Sequence, residues 1–79
     1  MIENENTEYF EVFYHANEFS NLFKYSFDSL EQAESLIQIE HPEFKKISIS
    51  EIKYPLVIII HKNNSEEEIT KHHFCKIES

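Results

Sequence analysis

Apolar residues recur along this chain with two different periods. From Tyr9 to Ala16, "YFEVFYHA", aromatic and β-branched residues are dense: Phe10, Val12 and Tyr14 share one face, and Tyr9, Glu11, Phe13 and His15 the other. A period of two in a β-favouring composition predicts a strand. Leu22 to Phe27, "LFKYSF", alternates again, with Phe23, Tyr25 and Phe27 set against Lys24 and Ser26. The link Asn17 to Asn21, "NEFSN", has turn composition, with Asn standing in for Gly where a positive φ is needed. Two such runs across a short polar link predict an antiparallel hairpin.

The period then lengthens. Leu30, Ala33, Leu36, Ile37 and His41 follow helical spacing with Ile39 at their flank, and Glu31, Glu34, Gln38 and Glu40 take the other side. Ser29 is placed to cap the helix, with Gln32 at the third helical position as in a capping box. Pro42 stops it, because a residue before proline disfavours the helical region. Glu40 in the last turn and Glu43 just beyond oppose the helix dipole, so their charge is tolerated or serves another purpose.

The remainder reads as strands. Phe44 to Ile52, "FKKISISEI", alternates Ile47 and Ile49 against Ser48 and Ser50, then slips phase to Ile52 and Tyr54. A bulge or turn near Glu51 to Lys53 accounts for the slip. Leu56 to Lys62, "LVIIIHK", does not alternate, as expected of a central strand covered on both faces. Glu67 to Glu78 fits a strand or a helix; the Asn63-Asn64 turn favours a strand paired back onto residues 56–62. The order is ββαβββ: an α+β, two-layer domain with an antiparallel sheet of four or five strands and one helix across a face. Residues 1–79 form a single domain, with residues 1–7 expected to fray. If both faces of Leu56 to Ile60 are buried, something must cover the second, and another copy of the chain is one candidate.

Composition narrows the chemistry. Glycine is absent from all 79 residues, where ordinary usage is about 7%. Gly-rich phosphate loops, dinucleotide fingerprints and nucleophile elbows are therefore excluded, since each needs backbone that only glycine supplies cheaply. Arginine is absent too; all seven cations are lysines, so bidentate reading of phosphate or guanine is excluded. Against them stand fourteen Glu and one Asp, for a net charge of −8. That field repels nucleic acid and anionic membrane and attracts basic surfaces. Cys75 is the one cysteine, which suits a reducing compartment and predicts a cytoplasmic protein. There is no secretory pattern at the N-terminus and no apolar run long enough to span a membrane.

Three constellations need weighing. His72, His73 and Cys75 lie close in sequence, with His61 on the proposed neighbouring strand. On a strand His72 faces away from His73 and Cys75, and the usual zinc spacings are missing. The reading is no metal, no cofactor, and half-buried histidines beside an inert thiol. A Cys75–His nucleophile pair has no supporting residues, and no two carboxylates stand out as acid and base, so no catalytic residue is assigned and the chain is read as not an enzyme. Tyr9, Phe13, Tyr25 and Phe74 are conceivable base-stacking platforms, but the charge opposes it and core packing explains them.

The third constellation is acidic. Glu31, Glu34 and Glu40 decorate the helix, Glu43 follows it, Glu66, Glu67 and Glu68 fill the last turn, and Glu3, Glu5, Glu8 and Glu11 line the start. The bland reading is a solvated surface. The functional one is partner binding by Glu31, Glu34, Glu40, Glu43, Glu66, Glu67 and Glu68, imitating the phosphates of a nucleic acid in a basic groove.

A glycine-free chain with a hairpin, the helix start "FDSLEQAESLI" and a closing hairpin "VIIIHKNNSEEEITKHHFCKI" resembles compact phage-encoded anti-CRISPR proteins of ββαβββ layout, over roughly residues 9 to 78. The resemblance rests on layout and the loose helix signature. It implies a non-enzymatic inhibitor that binds a Cas effector, or another host complex with a basic surface, and blocks guide or target access. It carries no contact residue with it, and some proteins of this layout use basic contacts where this chain is acidic. The rival expectation is a small homodimeric structural or assembly module acting through its sheet.

Overall fold

A computed structural model describes residues 8–77; the fraying expected of residues 1–7, and Glu3 and Glu5, lie outside them. The elements are β1 (Tyr9–His15), β2 (Leu22–Phe27), α1 (Leu30–Glu40), β3 (Phe44–Ile47), β4 (Leu56–Lys62) and β5 (Glu68–Lys76), with a 3₁₀ turn at Ile49–Glu51 between β3 and β4. The strands form one sheet in the order β2-β1-β4-β5-β3, and every neighbouring pair is antiparallel. This is the expected α+β fold with five strands. The unalternating strand β4 takes the centre, and the ambiguous C-terminal segment is a strand.

Local chemistry explains most boundaries. Ser29 caps α1: its Oγ accepts from the Gln32 backbone N–H at 3.2 Å. At the other end the His41 N–H donates to the Ile37 carbonyl at 2.7 Å, and Phe44 N–H donates to the His41 carbonyl at 2.9 Å, so the chain leaves the helix directly into β3. The His41 ring is stacked between Tyr14 (5.6 Å, 5°) and Phe44 (4.5 Å, 23°), tying that helix end to the sheet. The β1–β2 turn is held by side chains. Asn17 Oδ1 accepts from Phe19 N–H at 2.8 Å, and Ser20 Oγ accepts from Ala16 N–H at 2.9 Å.

Three expectations need correction. Among the described residues no asparagine adopts a positive φ and only Glu66 does, at 64°: Asn17 serves the β1–β2 turn through its side chain, and Asn63 folds the β4–β5 turn in the same way. Asn63 Oδ1 accepts from Ser65 N–H at 2.8 Å and from Glu67 N–H at 3.0 Å. Second, β2 does not keep one face. Val12 pairs with Tyr25 but Phe13 pairs with Phe23, so Lys24 is an unmatched bulge residue. A bulge reverses the side-chain phase, which sends Phe23 to the face opposite Tyr25 and Phe27, where its ring meets Phe13 at 5.4 Å. Third, β3 stops at Ile47, short of the expected Ile52; the turn expected near Glu51 to Lys53 is present as the 3₁₀ turn Ile49–Glu51.

The two faces are covered differently. Phe10 and Val12 of β1, Val57 and Ile59 of β4, Phe44 of β3 and Phe74 of β5 pack against Ala33 and Ile37 of α1 as the core, with Tyr14, Phe27 and Leu30 at its margin. Fully burying residues such as Ile37 and Ile59 contributes roughly 1.5–3 kcal/mol each. The antiparallel pairings make β2, β3 and β4 parallel to one another. The chain therefore makes two crossovers between parallel strands: β2 to β3 through α1, and β3 back to β4 through residues 48–55. They traverse the sheet in opposite directions, so if both are right-handed they lie on opposite faces. Burial agrees. Leu56, His73 and Cys75 point away from the helix and are nonetheless buried, and Cys75 and Ile47 line one hollow with Glu51 and Lys53 of the connection.

Candidate functional site

The register fixes where each candidate carboxylate falls. β1 starts opposite the end of β4, with Tyr9 paired to Lys62, and β5 starts there too, with Glu68 paired to Lys62. The helix follows directly from Phe27, which pairs with Phe10 at this same end. Glu31 in the first turn of α1 and Glu66, Glu67 and Glu68 of the β4–β5 turn are thus brought to one end of the sheet, joined by Glu8 and Asp28. Glu34 lies one turn further along α1, near enough to His72 to act on its charge. Glu40 and Glu43 are not part of this group: nine residues of helical rise separate Glu31 from Glu40, about 13–14 Å, and they stand at the far end beside β3.

Among the described residues the ion pairs are Glu8–His61 at 2.9 Å, Glu11–Lys62 at 2.9 Å and Glu68–Lys71 at 3.7 Å. Of the seven candidate carboxylates only Glu68 therefore has a cationic partner. Glu67 accepts a hydrogen bond from the Asn63 side-chain amide at 3.0 Å, which orients it without neutralising it. The lysines are spent elsewhere: Lys45 and Lys46 on β3, Lys53 on the connection and Lys76 at the end of β5 cluster along the opposite edge. The molecule is electrically polar, anionic at the β4–β5 turn and helix start, and richer in lysine toward β3.

Glu11 and Lys62 form a partly enclosed pair. Glu11 Oε1 is shut off from water, and its hydrogen bond raises the Lys62 ammonium above its usual range despite the opposing cost of desolvation. The histidines divide between the faces. His61 and His72 lie on the helix side, where His61 stacks on Phe10 at 4.2 Å; His73 and Cys75 lie on the other. His61 is therefore not a third partner to His73 and Cys75, because its position on β4 pairs with Thr70. Among the described residues no group of three or more His, Cys, Asp or Glu is placed to hold a metal. Burial lowers the pKa of His72 and of His73, helped by Lys46 for the first and Lys71 for the second.

One surface feature escaped the sequence pattern. Phe19 at the tip of the β1–β2 hairpin is 90% exposed, and Leu22 and Tyr25 of the edge strand β2 are exposed as well. The run Phe19 to Phe27 contains no carboxylate, and Lys24 is its one charge. The signal was available in that gap in an otherwise acidic sequence, but alternation alone reads these residues as core. Of the four aromatics weighed as stacking platforms, Phe74 is buried in the core and Tyr9 and Phe13 are half-buried; Tyr25 is the one well exposed.

No helix of the described residues is long and apolar enough to cross a membrane. In comparisons with family models, curated proteins and solved structures, nothing matches this chain.

Proposed function

We propose that this chain is a non-enzymatic, stoichiometric protein-binding inhibitor of a nucleic-acid-handling complex, of the anti-CRISPR kind that its layout resembles. The observation that carries the reading is the set of carboxylates gathered at one end of the molecule, Glu31, Glu34, Glu66 and Glu67, none of which has a lysine partner among the described residues. Glu40 and Glu43 stand apart from them, and Glu43 shares a hollow with Lys53 and Lys76. Leaving like charges together costs stability through repulsion. A basic groove built for phosphates would relieve that cost, and encounter with it would be fast and salt-sensitive. The exposed Phe19, Leu22 and Tyr25 supply apolar anchors of the type that dominate binding energy once seated in a partner's pocket. The partner is a cytoplasmic protein complex with a cationic nucleic-acid-binding surface, a Cas effector being the case the resemblance names.

Titration of the chain into target-cleavage assays with purified Cas effectors of several types tests this. For a responsive effector, cleavage should end at a stoichiometric ratio, and raising the salt should weaken the inhibition. Replacing Glu66, Glu67 and Glu68 by Lys should weaken it by about tenfold or more. Undiminished cleavage across the panel would remove the anti-CRISPR reading. Indifference to the charge reversal would remove this acidic end as the contact, and tight binding of the chain to bare DNA or RNA would overturn the mimicry.

A further inference from the structure

We draw no further inference here: the strongest candidate, the exposed apolar patch that Phe19, Leu22, Phe23 and Tyr25 form at the tip and outer strand of the β1–β2 hairpin, carries none because nothing in the structure shows what covers it.

Discussion

Glu66 occupies a backbone position that its side chain does not favour. Its φ of 64° lies in the left-handed region, which costs a residue with a Cβ roughly 1–2 kcal/mol and costs Asn less. The turn imposes it, because Asn63 gathers the Ser65 and Glu67 amides with its side chain while its carbonyl accepts from Glu66 N–H at 3.0 Å. Glu66→Asn should therefore raise stability by roughly 0.5–1 kcal/mol, a shift in Tm of about 2–8 °C for a domain of this size. Glu66→Gln removes the same charge without relieving the backbone and should give no comparable gain. Thermal melts followed by circular dichroism separate the two, and equal gains would show that charge, not φ, is the cost. The sequence contained "NNSEEE" but could not show this residue's φ, since any of the turn residues could have carried the strain.

Among the elements, α1 was the most legible. Ser29, the 3.6-residue spacing of Leu30, Ala33 and Ile37, and Pro42 fix its start, face and end through contacts within a few residues. Ser29→Ala should cost about 1 kcal/mol, because the Gln32 amide loses its acceptor; urea unfolding measures it, and an unchanged midpoint would show the cap to be dispensable. The strands were legible as strands but less so in phase. "LFKYSF" alternates without a break, yet Lys24 is a bulge residue and Phe23 faces the other way. Nothing local marks that bulge. It follows from matching β2 to β1, so it depends on a neighbour the alternation does not include. The same holds after Ile47, where continued alternation to Ile49 predicted more strand and the chain instead turned to begin its crossover.

At the scale of the whole molecule, His72 and His73 couple folding to pH. Burial lowers the pKa of both below the usual 6.5, so the folded state resists protons that the unfolded chain binds. Stability should be complete above about pH 6.5 and fall as the pH drops below it. Urea midpoints at about pH 7.5 and about pH 5.5, with salt near 0.15 M to screen the net charge, should show the loss. The double variant His72→Gln, His73→Gln should flatten the profile, and a wild-type profile already flat would refute the coupling. What the sequence determined by itself was everything set by near neighbours and by totals: the ββαβββ order, the amphipathic helix, the apolar central strand, the lack of glycine and arginine, and the acidic charge. Tertiary structure alone decided which strands pair, that Glu51 and Lys53 of the connection lie beside Cys75 on the face opposite α1, that His61 and His73 lie on different faces, and which carboxylates share an end. Those outcomes turn on contacts between residues far apart in the chain, where closing the second crossover on one face rather than the other depends on handedness and packing, and no local pattern of hydrophobic and polar residues encodes either.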